Sequence, residues 1–288
     1  MSRPAATRIR HSRHSERGGA LTMFSTLRST RRGFLSHSLR FSCGAVATFL
    51  GSPGFGQETA KGEIRIACVG DSMIDGVWGG LLRLASKETC LKPRIKLGRY
   101  GENGTGLTRP DRYSWPEAMT DIFAEFKPDL IIVSMGLNDR QGVVNPKTNT
   151  RVVYGQKEWS QAYEAEVAAF LGKATQTPAG LLWLGIPVLR DGTAQAESTE
   201  INHVYVHAIT ALNNKKAVFV DAWRQDGTKG DVFQAYAPDA SGSKVQIRTQ
   251  DGVHFTPAGY DMVAAYLLPK IIAQLNANGI EVAYPCPS

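Results

Sequence analysis

The sequence predicts an α/β fold, a three-layer α/β/α sandwich around a doubly wound parallel sheet of five strands. From residue 62 onward, short apolar runs rich in β-branched residues alternate with longer amphipathic stretches, which is typical of βαβ units. The run Leu130-Ile131-Ile132-Val133 is apolar at every position, so helices are expected to cover both faces of the sheet.

We predict a strand for each apolar run and a helix for each amphipathic stretch. The predicted strands are residues 63–69, 94–99, 129–135, 180–186 and 217–221. The predicted helices are residues 74–87, 115–126, 158–175, 199–213 and 257–277. In the third helix, Ala165, Ala168, Ala169 and Leu171 have the spacing of a face packed against a sheet.

Two stretches break this alternation. Residues 140–156 are rich in Asn, Gly and Thr and indicate a hairpin or a lid. Residues 225–250 are long and polar for a βα connection. Loops of this length in a compact domain tend to be functional or mobile.

The formal charge of +7 comes from the first residues of the chain. Residues 1–56 contain nine arginines and one acid, Glu16, which leaves 24 basic and 25 acidic residues in the remainder. A nearly neutral body does not favour nucleic-acid binding, so no nucleic-acid partner is expected.

Residues 1–57 are predicted to be an export signal and leader, and residues 58–288 a single domain. The pair Arg31-Arg32 precedes a weakly apolar run over residues 41–51, which is typical of a twin-arginine signal. Because a bilayer span needs about 20 residues, no stable membrane anchor is expected. The prediction is a periplasmic or secreted protein, with Met1 and Met23 both open as the start of translation.

The cysteines indicate one disulfide and no metal site. Removal of the leader takes Cys43 with it, and no pair of cysteines has the spacing of a metal site. In a doubly wound sheet of order 2-1-3-4-5 the first and last helices cover the same face, so Cys90 is expected to pair with Cys286. Cys68, inside the first strand, is expected to be buried and reduced.

Four loops expected at one edge of the sheet carry the residues of chemical interest. In parallel sheets, reacting groups collect at the carboxyl ends of the strands. The four sequences are Gly70-Asp71-Ser72-Met73, Gly101-Glu102-Asn103-Gly104-Thr105-Gly106, Gly136-Leu137-Asn138-Asp139 and Asp251-Gly252-Val253-His254.

These four sequences, in this order, resemble the motifs of the SGNH (GDSL-type) hydrolases. The likeness extends over residues 62–276 and is greatest to a bacterial branch described as a domain of unknown function. It implies a flavodoxin-like sheet of order 2-1-3-4-5 and a serine esterase that needs no cofactor. Met73 replaces the leucine of the first motif, and the second motif reads Asn-Gly-Thr-Gly-Leu.

The resemblance implies a role for each polar residue. Ser72 is the nucleophile, His254 the general base and Asp251 the acid that orients the imidazole, an arrangement that makes a poorly reactive hydroxyl attack a carbonyl. The oxyanion is expected to bind the N–H of Ser72, the N–H of Gly106 or Gly104, and the side-chain amide of Asn138.

Structural alternatives exist for these residues. Ser72 is also a suitable helix cap, Asn138-Asp139 suitable turn residues, and Asp251 and His254 suitable caps for the last helix. His203 and His207 have the i, i+4 spacing of a metal pair, but no further ligand stands at a matching offset, so no metal is expected.

The function expected from these residues is hydrolysis of acyl esters, chiefly acetyl esters, on envelope or extracellular carbohydrate. A carbohydrate O-acetyltransferase and a lipase-like esterase use the same triad and stay open. A non-catalytic carbohydrate-binding module on the same fold is a third alternative. The natural substrate, the acyl chain length and the oligomeric state are not determined by the sequence.

Overall fold

The computed structural model describes residues 62–222 and 232–287. In chain order the elements are β1 (Ile64–Gly70), α1 (Ser72–Ala85), β2 (Ile95–Gly101), α2 (Trp115–Glu125), β3 (Leu130–Ser134), β4 (Val143–Asn145), β5 (Thr150–Val152), α3 (Trp159–Ala174), β6 (Gly180–Leu184), α4 (Gly192–Leu212), β7 (Ala217–Val220), β8 (Tyr236–Pro238), β9 (Lys244–Gln246) and α5 (Pro257–Ala277). The predicted leader, residues 1–57, lies outside the described residues.

Five parallel strands form the central sheet in the order β2-β1-β3-β6-β7. Numbered among themselves along the chain, they have the order 2-1-3-4-5, so the predicted topology is confirmed. The predicted α/β/α sandwich is confirmed as well, because helices pack on both faces of this sheet.

The two faces of the sheet form two separate apolar cores. Alternate residues of β3 point to opposite faces, Ile131 and Val133 to one core and Leu130 and Ile132 to the other. Helices α2, α3 and α4 cover the first core, and α1 and α5 cover the second. The run of apolar residues in β3 is continuous because this strand is buried on both sides, as expected.

Helix α4 begins seven residues before the predicted start at residue 199. Its N-cap is Asp191, whose side chain accepts a hydrogen bond of 2.7 Å from the N–H of Ala194. In the first seven residues only Ala194 and Ser198 are buried, so this part of the helix has no apolar stripe for periodicity to detect. The sequence signal for the observed start of the helix is the capping residue Asp191.

Both irregular stretches contain short antiparallel hairpins. β4 pairs with β5 within residues 140–156, which confirms the expected hairpin. β8 pairs with β9 within the long connection after β7, of which residues 223–231 lie outside the described part of the chain. In the described chain, no helix is both long and apolar enough to cross a membrane.

A crowded junction between β1 and β3 fixes the start of α1. Gly70 has φ +151°, and a Cβ at this position would collide with the backbone of Ser134 at the end of β3. Only glycine allows the two strand ends to come this close. The residue after this junction, Asp71, also donates its N–H to the Ser134 carbonyl at 3.1 Å.

A disulfide joins the end of the α1 region to the C-terminal tail. The Cα atoms of Cys90 and Cys286 are 5.4 Å apart and the two sulfurs are bonded, which confirms the predicted pair. Cys68 is free and fully buried in β1, and burial raises the pKa of its thiol to about 12. The thiol of Cys68 is therefore protonated and protected from exchange.

We predict that the double variant Cys90→Ser/Cys286→Ser is less stable than the wild type by about 2–5 kcal/mol, because the bond closes a long loop in the unfolded chain. The enclosed sequence separation is 196 residues. Urea denaturation followed by circular dichroism measures the difference. Dithiothreitol should lower the stability of the wild type to that of the variant and leave the variant unchanged; equal stability of both proteins without reductant contradicts the prediction.

Candidate active site

Ser72, His254 and Asp251 form a hydrogen-bonded chain at the carboxyl edge of the sheet. Ser72 Oγ lies 2.8 Å from His254 Nε2, and His254 Nδ1 lies 2.7 Å from Asp251 Oδ2. The serine and the histidine are 182 residues apart in sequence. A hydroxyl, an imidazole and a carboxylate in this order have the geometry of an activated nucleophile.

Ser72 is the first residue of α1 and follows Asp71, the N-cap of that helix. The Asp71 side chain, rather than the Ser72 hydroxyl, accepts the hydrogen bond from the N–H of Met73. The capping role that the sequence left open for Ser72 is thus filled by its neighbour. The Ser72 hydroxyl is left to contact His254 at the positive end of the helix dipole.

The Asp251 carboxylate is held by its own loop. Its Oδ1 accepts hydrogen bonds from the N–H groups of Val253 (2.8 Å) and His254 (3.0 Å) and from Thr249 Oγ1 (2.6 Å). Partial burial raises the pKa of Asp251, but these bonds and the His254 side chain outweigh it and hold the pKa well below its ordinary range. Asp251 is therefore ionised whenever it faces the imidazole.

Two arginines anchor the loop that carries His254. Arg248 is buried, donates to the carbonyls of Val188 and Val253 at 2.8 Å each, and stacks over the Phe255 ring at 4.2 Å. Arg190 donates to the carbonyl of Gln250 at 2.9 Å. These bonds satisfy backbone carbonyls that no strand pairs, so they keep an irregular loop in one conformation.

The loops after β2 and β3 contact each other. The Asn138 amide donates to the Thr105 carbonyl at 2.9 Å, which brings Asn138 against the glycine motif. Gly106 is buried in this contact, whereas Gly104 is exposed, has φ +76° and would leave an added Cβ without neighbours. The structure therefore brings Asn138 and Gly106 together and leaves Gly104 at the tip of the loop.

Asp139 is a site residue whose role the sequence interpretation missed. It is fully buried and accepts four hydrogen bonds, from the N–H groups of Leu107 and Thr108 (3.0 Å each), Thr108 Oγ1 (2.9 Å) and the Tyr163 hydroxyl (2.8 Å). The sequence signal was its place directly after Asn138 at the end of a strand, which also suits a turn residue.

Asp71 is the second buried acid of the site. Its carboxyl accepts hydrogen bonds from the N–H groups of Met73 (3.0 Å) and Gly136 (3.1 Å). Burial raises the pKa of Asp71 to about 7, the Asp139 carboxyl adds to the rise, and the backbone hydrogen bonds oppose it. Asp71 therefore titrates near neutral pH.

The side of the site that carries His254 and Asp251 is open to solvent. The side chains of His254 and Asp251 retain 36% and 47% of their exposure. His203 and His207, which have the sequence spacing of a metal pair, lie on α4. His207 Nδ1 contacts Glu164 Oε1 at 2.7 Å on the surface. No cluster of three or more His, Cys, Asp or Glu suited to a metal ion occurs in the part of the chain that the structure describes.

We predict that Asp71→Asn changes how stability depends on pH. The folded-state pKa of Asp71, about 7, lies above the ordinary value of 3.8, so its bound proton stabilises the fold fully below pH 3.8. That stabilisation is lost progressively as the pH rises from 3.8 to the folded-state pKa of about 7, and asparagine does not titrate. Between pH 5 and 8 the variant should therefore gain ~1–3 kcal/mol relative to the wild type in urea denaturation. Parallel pH profiles for the two proteins contradict this assignment.

The comparisons with known proteins agree with this architecture. A family model described as a protein of unknown function (DUF459) matches residues 65–270. No curated protein is matched by the sequence.

Several solved structures share the fold. One is LAE5, an α/β hydrolase enzyme from the metagenome of Lake Arreo, Spain, at 17% identity, 75% coverage of this chain, 97% of that chain and TM-score 0.52. An acetyl xylan esterase, AlAXEase, is 17% identical, with 73% and 100% coverage and TM-score 0.50. A carbohydrate esterase family 3 protein from Talaromyces cellulolyticus is 14% identical, with 74% and 99% coverage and TM-score 0.50.

At these identities the structural likeness establishes the fold alone, a five-stranded parallel sheet between two layers of helices. The family match extends over most of the described residues. The chain belongs to the family described as proteins of unknown function, DUF459.

Proposed function

We propose that the protein is a serine esterase that hydrolyses acyl esters, chiefly acetyl esters of envelope or extracellular carbohydrate, through an acyl-serine intermediate. The observation that carries the proposal is the continuous hydrogen-bonded chain from Ser72 Oγ through His254 to Asp251. A serine hydroxyl becomes a useful nucleophile when a base within hydrogen-bond reach removes its proton.

In the first half of the proposed reaction, Ser72 Oγ attacks the ester carbonyl carbon while His254 Nε2 takes the hydroxyl proton. This requires the imidazole tautomer with its hydrogen on Nδ1, and the ionised Asp251 carboxylate favours that tautomer by accepting this hydrogen. The tetrahedral intermediate collapses when His254 returns the proton to the leaving alkoxide. The alcohol departs and the acyl group stays on Ser72.

In the second half, the steps of the first half run in reverse, with water in place of the alcohol. His254 takes a proton from water, the hydroxide attacks the acyl carbon, and the proton is then delivered to Ser72 Oγ. The products are the free acid and the original hydroxyl. The ester and one water molecule are consumed, and Ser72, His254 and Asp251 return to their starting states.

Three donors are proposed to bind the oxyanion of both tetrahedral intermediates. The N–H of Ser72 is one of the unpaired donors at the N-terminus of α1, where the helix dipole favours negative charge. The Asn138 amide and the N–H of Gly106 supply the other two. Gly106 is preferred over Gly104 because its neighbours are bonded to the β3 loop, whereas Gly104 is exposed and lacks such contacts.

The exposure of the base favours hydrolysis over transfer. A transferase must keep water away from its acyl-enzyme, and the side chains of His254 and Asp251 are 36% and 47% exposed. The intact chain of hydrogen bonds also opposes the alternative of a non-catalytic binding module. An open site is accessible to a polymer, and two of the proteins sharing the fold are described as an acetyl xylan esterase and a carbohydrate esterase.

A periplasmic or secreted location is part of the proposal. Arg31-Arg32 ahead of an apolar run supports export through the twin-arginine route. The disulfide between Cys90 and Cys286 also supports an oxidising compartment, because such bonds are rare in proteins that stay in the cytosol.

The proposed function predicts short-chain esterase activity that depends on Ser72. The purified protein should hydrolyse p-nitrophenyl acetate faster than esters of more than eight carbons and should release acetate from acetylated xylan. Ser72→Ala should lose at least about 10⁴-fold in kcat, because the acyl-enzyme no longer forms. Ser86→Ala, at the exposed C-cap of the same helix, is the matched control and should keep full activity.

Labelling of the wild type by a fluorophosphonate should occur at Ser72 and disappear in Ser72→Ala. Turnover retained by Ser72→Ala, or labelling at another serine, would contradict the mechanism. Preference for long acyl chains would support the lipase-like alternative.

The division of roles predicts different losses for the base and the acid. His254→Ala should be about as damaging as Ser72→Ala, because both belong to one proton-transfer unit. Asp251→Asn should lower kcat by up to about 10⁴-fold, since the amide favours the wrong imidazole tautomer. The matched control is His207→Ala, which removes a histidine paired with a carboxylate outside the site and should leave kcat unchanged. Equal activity of His254→Ala and His207→Ala in the p-nitrophenyl acetate assay would contradict the assignment of His254 as the base.

A further inference from the structure

The segment of residues 105–108 has no helix or strand of its own and is held by side chains of the β3 loop. Asn138 donates to the carbonyl of Thr105, and Asp139 accepts from the N–H groups of Leu107 and Thr108. Two adjacent residues of one loop thus bind three backbone groups of the other. The conformation of residues 105–108 depends on these bonds, because an irregular segment has no ladder to define it.

Gly106 stands at the centre of this contact. A Cβ on Gly106 would collide with both oxygens of the Asp139 carboxyl, so the glycine backbone lies directly on the acid. The position of the Gly106 N–H is therefore set by Asp139, through the packing of Gly106 itself and through the hydrogen bond to the next residue, Leu107.

Asp139 is itself fixed from the opposite side by two helices. The Tyr163 hydroxyl on α3 donates to Asp139, and the Tyr205 hydroxyl on α4 lies 2.7 Å from the Tyr163 hydroxyl and 3.1 Å from the carbonyl of Met135. All three side chains are fully buried. Burial and the nearby Asp139 carboxyl raise the pKa of both tyrosines well above their ordinary range, so both stay neutral hydroxyl donors.

We propose that Asp139 is a positioning residue that sets the spacing between the oxyanion donors Gly106 and Asn138. The proposal rests on the esterase function proposed above. Asp139 does not touch the substrate; it acts through the backbone of residues 105–108. Oxyanion donors are effective only within a few tenths of an ångström of their required place, and a shift of 1 Å can cost about 10²-fold in rate.

Asp139→Asn is the sharpest substitution because it preserves size and removes one acceptor. Whichever way the new amide is turned, its NH₂ group faces a backbone N–H, that of Leu107 in one orientation and that of Thr108 in the other. Two donors repel, so the segment must move. The Tyr163 hydroxyl can rotate to accept a hydrogen bond, but a backbone N–H cannot.

The matched control is Asp129→Asn. The Asp129 carboxylate also accepts a backbone hydrogen bond, from the N–H of Arg65 at 2.8 Å. It precedes β3 at the amino edge of the sheet, opposite the proposed site. This variant carries the same substitution at a carboxylate that accepts a backbone hydrogen bond, but its amide oxygen can still accept that bond, and residues 105–108 are not touched.

The experiment measures kcat and KM for p-nitrophenyl acetate in the wild type and in the variants Asp139→Asn, Asp129→Asn and Asn138→Ala, each shown to be folded by circular dichroism. Asp139→Asn is expected to lose about 10²-fold in kcat, close to Asn138→Ala, with KM within about threefold of the wild type. Asp129→Asn is expected to retain the wild-type kcat. Full kcat in a folded Asp139→Asn overturns the proposal, and so does an equal loss in Asp129→Asn.

A double-mutant cycle separates positioning from general destabilisation. If Asp139 acts through the oxyanion hole, the kcat loss caused by Asp139→Asn should shrink to less than about tenfold in the Asn138→Ala background. Multiplicative losses indicate a structural role only and contradict the proposal.

If Asp139→Asn fails to fold, Tyr163→Phe is used to test the proposal instead. It removes one of the four donors to Asp139 and leaves the backbone bonds in place. We expect kcat to fall about 3- to 10-fold with KM unchanged, and no fall in kcat overturns the proposal. If the wild type has no esterase activity, the proposed function is wrong. The rate at which a fluorophosphonate reacts with Ser72 in the same variants then tests the positioning role of Asp139.

Discussion

A buried carboxyl group joins the two loops on which the proposed site is built. Asp71 accepts one hydrogen bond from the first turn of α1 and one from Gly136 in the loop after β3. Backbone N–H groups buried without partners cost free energy, so this carboxyl satisfies groups that the sheet leaves unpaired. Ser72 directly follows Asp71 and Asn138 lies two residues after Gly136, so this side chain ties together the segments that carry the proposed nucleophile and one proposed oxyanion donor.

This arrangement brings two buried acids into the same part of the fold. Burial raises the pKa of Asp71, and the Asp139 carboxyl raises it further. Such a pair is unfavourable by itself and persists because each carboxyl accepts several hydrogen bonds from irregular backbone. The fold therefore places two buried acids close in sequence to Ser72 and Asn138, and an acid with a raised pKa such as Asp71 is commonly found near functional sites.

The other half of the proposed site is built differently. Ser72 and Asn138, the proposed nucleophile and oxyanion donor, follow the buried ends of β1 and β3, whereas His254 and Asp251 lie on an exposed loop anchored by Arg190 and Arg248. Arginine suits this task because its guanidinium carries several donors and reaches more than one carbonyl. In the proposed mechanism the buried half would position the acyl group, and the open half would leave His254 accessible to water and to a large alcohol.

The sequence by itself determined the fold class, because strand periodicity is a local pattern along the chain. The strand order and the candidates Ser72, Asn138, Asp251 and His254 followed from the order of four motifs and from their resemblance to those of the SGNH hydrolases. The sequence also indicated the Cys90–Cys286 pair once the topology was assumed. Only the tertiary structure decided that the Asp71 carboxyl accepts a hydrogen bond from Gly136, that Gly106 lies on Asp139, and that Tyr163 and Tyr205 support Asp139 from two helices. These contacts join segments far apart in sequence, and their formation depends on which backbone groups remain unpaired after the sheet has formed. No local pattern of residues records that outcome.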